Sequence, residues 1–507
     1  MISRVHSFVL QGIDAIPCEI EADLSPVGLP KTTVVGLPDI AVKESMERVR
    51  TALLNSGFRF PQTRITINLA PADINKQGPV YDLPFALALL RAEGGIQPAV
   101  GERPRMDEWL IAGELALDGR VRPIKGVISL AMLAKQNKAR GVIVPIDNAA
   151  EAAAVDDILV LGVKTLGEVV AFFNGVSKIE PHRAIDAEQL IAESKPSVDF
   201  ADVRGQEAAK RAVLIAAAGN HNLLMLGPAG TGKTMMAKAL PGVLPPLSRD
   251  EALEVTRIYS SVGRIRRGAA LMTERPVRMP HHTASSPAII GGGSIPKPGE
   301  VSLAHRGVLF LDEMPEFTRD VLETLRQPLE DGCVTIARAH GSIKFPAQFM
   351  LVAALNPTPK GDMAADEISQ RAMEKYLSKI SGPLIDRIDI HVEVPGVPFK
   401  QLTSKQRGTD TAAIRQRVLE AREIQRRRQN GVVNAELSGK MLDQHAAMDE
   451  QAHMLLGQAM SEMGLSARAF DKVRRVARTI ADLERSERVQ SSHVAEAVQY
   501  RLLDRML

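Results

Sequence analysis

Asn222-Leu-Leu-Met-Leu226, Gly227-Pro-Ala-Gly-Thr-Gly-Lys-Thr234 and Met235-Met-Ala-Lys-Ala-Leu240 follow one another without a gap. They read as an apolar strand, a glycine-rich turn ending in Lys-Thr, and a helix. That order is a P-loop. Gly227, Pro228, Ala229, Gly230, Thr231 and Gly232 let consecutive backbone N–H groups turn inward on phosphates. Lys233 is placed to reach the β and γ oxygens and Thr234 to put its hydroxyl on Mg²⁺. The helix that follows adds unpaired N–H groups and a favourable dipole for anions. The stretch therefore predicts an α/β nucleotide-binding core that takes ATP and Mg²⁺.

Downstream, Gly307-Val-Leu-Phe-Leu311 has the continuous apolar character of a fully buried strand and ends in Asp312-Glu313. This is a Walker B arrangement: Asp312 shares Mg²⁺ with Thr234, and Glu313 polarises the attacking water. A helix is predicted over 318–327, then a hairpin turning at Ala339-His340-Gly341, then a second buried strand, Phe349-Met-Leu-Val-Ala-Ala-Leu355, that stops at Asn356. Between the P-loop and the Walker B strand the chain is rich in Gly, Pro, Ser and Arg, as in Gly263-Arg-Ile-Arg-Arg-Gly268. Long loops of this kind are commonly functional. His281 and His282 have no Asp, Glu or Cys at ligand spacing, so hydrogen bonding within the loop is the expected role. From about 400 onward strand signals disappear. Helices are predicted over 411–429, from Ser466 as N-cap, and over 492–503.

Upstream, short apolar runs (Thr32-Thr-Val-Val35, Arg64-Ile-Thr-Ile-Asn-Leu69, Gly141-Val-Ile-Val-Pro145) alternate with helical stretches over 41–56 and 83–91. They predict a mixed α+β domain over 1–176. Lys43, Arg48 and Arg50 on the first of these helices read as a solvated face, because their neighbours supply charges at i and i+4. A polar linker over 177–197 leads to an ATPase core over 198–395 and a helical domain over 396–507. A chain of 507 residues exceeds what one core usually supports.

The net charge is only +3, so any basic surface must be local. One Trp and four Tyr argue against a stacking platform for single strands. Two cysteines, Cys18 and Cys333, form neither a disulfide framework nor a four-thiolate metal site. Met1-Ile-Ser-Arg-Val-His-Ser has no basic segment followed by an apolar core, and no run of about 18 apolar residues occurs. A cytoplasmic protein without membrane insertion is expected.

Two resemblances extend this reading. Ala112-Gly-Glu-Leu-Ala-Leu-Asp-Gly-Arg-Val-Arg-Pro-Ile-Lys-Gly126 followed by Val142-Ile-Val-Pro145 resembles the proteolytic domain of Lon proteases. The nucleophile of the Ser–Lys dyad would fall at Val80 and the base near Ile128, so the resemblance implies the fold without the chemistry. A dyad shifted to Lys125 and Ser129 is the alternative. The remaining motifs are similar to those of magnesium-chelatase-like AAA+ ATPases of the ComM (YifB) group: the P-loop, Asp312-Glu313, Asn356, Ile380-Ser-Gly-Pro-Leu-Ile-Asp-Arg387-Ile-Asp and Leu465-Ser-Ala-Arg468-Ala-Phe. The resemblance implies Val203, Gly205 and Gln206 beside the adenine and Asn356 as sensor 1. It further implies that Arg387 reaches into a neighbouring subunit's site and that Arg468 is sensor 2, reaching back to the γ-phosphate from a lid. It implies a hexameric ring that hydrolyses ATP and migrates DNA branches during natural transformation. Arg264, Arg266, Arg267, Arg338 and Lys344 would track phosphates from loops in the pore. The alternatives are the motor subunit of a metal-insertion complex and a protein-remodelling factor. Relatives often carry cysteines after Asn356-Pro; none occurs here up to Tyr376.

Overall fold

A computed structural model describes residues 2–27, 29–99, 101, 103–194, 198–293, 295–338, 341–356, 379–397 and 408–501. They form two compact units, one of Met1–Leu190 with Ser248–Met272, the other of Ile191–Leu247 with Thr273–Leu507. The stretch after Asn356 up to Tyr376 lies outside the described residues.

The first unit is built on a seven-stranded mixed sheet in the order Lys31–Val35, Arg64–Ala70, Asp14–Ser25, Ile2–Gln11, Trp109–Ile111, Gly141–Pro145, Leu159–Val163. Side chains alternate across a strand, so strand Ile2–Gln11 serves two cores. Val5 and Val9 point to the side covered by helices Ile40–Asn55 and Asp82–Glu93. Phe8 and Leu10 point to the side of helix Val127–Gln136.

Two features of this unit depart from the sequence reading. Arg48 does not belong to a solvated face: its Nε donates to the buried carboxylate of Asp82 at 2.9 Å, and Asp82 also accepts from Leu115 N–H at 3.2 Å. A buried charge needs such partners, which outweighs the weak i, i+4 pairing expected on the helix surface. Also, Ser248–Met272 folds with this unit although it lies inside the 198–395 span. Its helix, Arg249–Ser261, carries Leu253 against the same core as Ile128, and beyond the helix Leu271 is buried there too. Ser260 accepts from Gly126 N–H through both its hydroxyl and its carbonyl oxygen. Residues at the start of the expected linker likewise bond here, His182 N–H to the Val160 carbonyl at 2.8 Å.

The second unit holds a five-stranded sheet in the order Val277–Arg278, Val308–Leu311, Met350–Leu355, Leu223–Leu226, Ile390–Glu393, with every pair parallel. The apolar runs around 223–226, 308–311 and 350–355 are buried along their whole length, as strands covered on both faces require. Parallel pairing sends all their carboxyl ends to one edge, the place where open α/β sheets bind ligands. The helix expected over 318–327 is broken at Leu325 into Arg319–Thr324 and Arg326–Asp331. The hairpin forms as read, with Cys333–Arg338 antiparallel to Gly341–Pro346.

Helices Thr411–Gln429, Glu450–Met463, Ala467–Leu483 and Ser491–Gln499 close the unit and share its core with the sheet and with helix Glu207–Gly219. The helix starts follow the sequence: Asp410, Asp449 and Ser466 each cap the first turn with a side-chain oxygen. On Thr411–Gln429 Arg417, Arg426 and Arg427 are exposed, but Arg428 is turned inward. Arg428 and Arg478 both bond the buried carboxylate of Asp482, which also accepts from Asn434 at 2.8 Å. Removing one partner of a buried pair leaves an uncompensated charge. Asp482→Ala is thus expected to destabilise the second unit by about 3–5 kcal/mol, read as a shift of its urea unfolding transition.

Candidate active site

Strand Leu223–Leu226 runs into the P-loop, where Gly227 is fixed by a close backbone approach and Gly232 by its dihedral angle. A Cβ at Gly227 would stand 2.0 Å from the Val394 carbonyl oxygen, and Gly232 has φ of +93° at the mouth of helix Lys233–Val243. Both glycines are thus required by geometry. Lys233 is 6% exposed, and its Nζ donates to the carbonyls of Gly227 and Pro228 at 2.6 and 2.7 Å. Burial lowers its pKa, while Asp312 and Glu313 pull it back up.

The neighbouring strand ends complete the site. Thr234 Oγ1 donates to Asp312 Oδ2 at 2.9 Å, joining the two groups that the motifs assign to Mg²⁺. A hydroxyl and a carboxylate are the hard oxygen donors that this cation takes, so the residues present fit it. When bound, the metal would neutralise charge on the phosphates. Glu313 has left-handed backbone, with φ of +50°, and its N–H donates to Asp312 Oδ1 at 3.1 Å. Asn356, at the end of the strand between these two, bridges both sides. Its Oδ1 accepts from Lys233 at 3.3 Å and its Nδ2 donates to Glu313 Oε1 at 3.4 Å. A single amide thus fixes the cradle lysine and the candidate base relative to each other.

Val203 is buried, and Gly205 and Gln206 both have left-handed φ. Gln206 Nε2 donates to Thr231 O at 3.3 Å and Pro395 O at 2.6 Å, which sets this segment against the P-loop. His281 bonds the Thr283 hydroxyl at 2.9 Å, as a loop residue should. His282 was not singled out by itself, yet its Nδ1 lies 3.9 Å from Glu313 Oε2, and its ring meets Phe317 edge-on at 6.5 Å.

Arg387 and Arg468 come together elsewhere in the unit. With Glu330, Asp386, Asp471, Lys472 and Arg475 they line a cavity of about 210 Å³. Arg387 pairs with Glu330 and donates to the Pro383 carbonyl; Arg468 lies 3.5 Å from Asp386 Oδ2. Burial, then Arg326 and Arg468, lower the Arg387 pKa. The structure therefore groups the two arginines with each other, and the hydrogen bonds it gives them do not run to the P-loop.

The basic loops separate. Arg264, Arg266 and Arg267 are exposed in the first unit, where Arg266 and Arg267 border a cavity with Lys125 and Asp147. Lys344 is exposed on the hairpin of the second unit, opposite Thr335. The Arg338 side chain and residues 339–340 lie outside the described residues. As for the dyad, Val80 packs against the cluster that holds fully buried Ile128. Ser129 is 2% exposed, and its hydroxyl is committed to the Ile13 carbonyl at 2.6 Å.

Comparison with known proteins matches three family models in sequence: subunit ChlI of Mg-chelatase over residues 20–148, magnesium chelatase subunit ChlI over 199–402, and its C-terminal region over 408–501. The competence protein ComM of Haemophilus influenzae is 44% identical over 510 residues, covering 100% of this chain and 98% of its own. The chain belongs to the ComM (YifB) family of magnesium-chelatase-like AAA+ ATPases. YifB of Salmonella typhimurium, itself uncharacterized, is 42% identical over 511 residues. The magnesium-chelatase 38 kDa subunit of Rhodobacter capsulatus is 29% identical over 191 residues, only 34% of this chain. ComM-family membership extends over both units. Among the described residues no helix is long and apolar enough to cross a membrane.

Two substitutions test the expected division between binding and hydrolysis. Lys233→Ala is expected to abolish ATP binding measured by calorimetry. Glu313→Gln should retain binding while kcat falls by about 10²–10⁴-fold, the usual range for losing a general base.

Proposed function

We propose that the chain is a ring-forming, ATP-hydrolysing motor that migrates DNA branches in homologous recombination during natural transformation, working as a homo-oligomer, a hexamer on the family pattern, in the cytoplasm. The observation that carries the reading is the grouping of Arg387 with Arg468 around their own cavity, with a carboxylate as the partner of each. A guanidinium so placed is suited to a triphosphate held by another chain. In that composite site one subunit supplies Lys233, Thr234, Asp312, Glu313 and Asn356, and its neighbour supplies Arg387 and Arg468. Glu313 orients water for in-line attack, and the neighbour's guanidinium stabilises charge developing on the phosphoryl group.

DNA as the partner is supported by the name of the relative that spans the chain, a competence protein, and by exposed Lys344 on the hairpin. Backbone tracking without sequence readout requires only such cations. Arg264, Arg266 and Arg267 would then serve as a separate basic surface of the first unit. We read that unit as a Lon-like fold without protease chemistry, because the two dyad positions are Val80 and Ile128 and Ser129 is spent on a backbone carbonyl. A metal-insertion motor is the weaker reading: the magnesium-chelatase family models match along most of the chain, but the magnesium-chelatase 38 kDa subunit is 29% identical over 34% of it, whereas ComM is 44% identical over all of it.

The decisive assay follows ATP-dependent strand exchange on synthetic three- and four-way junctions, with ATP turnover measured alongside. Branched DNA should stimulate turnover, and Arg387→Ala should lower kcat by about 10³–10⁵-fold. Turnover indifferent to every DNA form would contradict a DNA motor.

A further inference from the structure

Arg387 is carried on a short segment, Asp386-Arg387-Ile388-Asp389, that joins helix Gly382–Ile385 to the edge strand Ile390–Glu393. That segment is held by its backbone to an unusual degree. The Arg387 carbonyl accepts from Asn222 Nδ2 at 2.8 Å. The Ile388 carbonyl accepts from two cations, Lys472 Nζ at 3.1 Å and Arg501 Nη1 at 2.6 Å. Lys472 also lies 3.8 Å from Asp389, which is in turn 3.4 Å from His221 Nδ1. Both cations are buried, Lys472 at 6% exposure and Arg501 at 1%.

Burying two cations beside one carbonyl is costly, and an apolar pair of similar shape would hold two helices together as well. What the ammonium adds is direction. Charge-assisted hydrogen bonds are shorter and about twice as strong as neutral ones. Lys472 also follows Arg468 by one turn on helix Ala467–Leu483, and both border the cavity into which Arg387 faces. The lid therefore grips the backbone of one arginine from the helix that carries the other.

We infer that Lys472 is a positioning residue for Arg387: its ammonium, with Arg501 beside it, fixes the carbonyl next to Arg387 so that the guanidinium meets the neighbour's triphosphate in register. This role presupposes the shared site proposed above. Displacing a catalytic group by about 1 Å costs about 10²-fold in rate, which sets the expected effect.

Lys472→Met keeps the aliphatic stem and removes the charge. Its kcat should fall by about 10²-fold with KM for ATP little changed, and Lys472→Arg should recover most of the rate. A merely structural role is separated by mixing subunits. Lys472→Met retains an intact cradle, and Lys233→Ala retains an intact Arg387. Co-assembled, the two should turn over ATP several-fold faster than the sum of the separate proteins. Arg387→Ala mixed with Lys233→Ala is the reference. Recovery in both mixtures supports the positioning role. Recovery in the reference alone overturns it, since Lys472 would then serve its own chain's site or fold. Recovery in neither overturns the shared site itself. Lys472→Gln, which keeps a neutral donor, goes through the same mixtures with the same criteria if Lys472→Met does not fold.

Discussion

The 2.9 Å hydrogen bond from Thr234 to Asp312 is the contact on which the ATPase unit is organised. The two residues follow strands that are not neighbours, because Met350–Leu355 runs between them. They meet only because all three strands are parallel and end at one edge. The intervening strand is used as well, since its last residue, Asn356, links Lys233 to Glu313. The left-handed conformation at Glu313 is a modest local strain of the kind that functional sites retain.

A second concentration of charge is the cavity of Arg387, Arg468, Lys472 and Arg475, offset by Glu330, Asp386 and Asp471. Burial first, and then the charges of Arg326 and Arg468, lower the proton affinity of Arg387. Such an arrangement gains most from an anion of several charges. The Arg387–Glu330 pair shows how the guanidinium is held within one chain. Exchange of one carboxylate for a triphosphate would couple assembly to catalysis.

The local motifs were legible because each carries its own physics. The apolar runs at 223–226, 308–311 and 350–355 read as buried strands, and Asp312 and Asn356, which end the last two, fall at the sheet's carboxyl edge. The hairpin and the cap at Ser466 follow from turn and capping chemistry. What escaped was long-range pairing. Nothing near Arg48 announces Asp82, whose carboxylate comes from another helix, and the i, i+4 pattern pointed outward. Nothing in Ser248–Met272 reveals that Leu253 and Leu271 complete the core of the first unit. Arg468 shows the same limit: its place in the first turn of a helix was readable, but its company with Arg387 depends on how that helix packs. His282 and Lys472 carry no local signal at all, one being half of an unremarkable dipeptide and the other a lysine on an amphipathic helix.

The central claim is that hydrolysis happens between chains. It is tested most directly by measuring ATP turnover per subunit over a dilution series of the unaltered protein, with oligomeric state followed in the same samples by mass photometry. The account predicts that turnover per subunit collapses as the assembly dissociates and is restored on concentration. Turnover that stays constant down to isolated chains would contradict it.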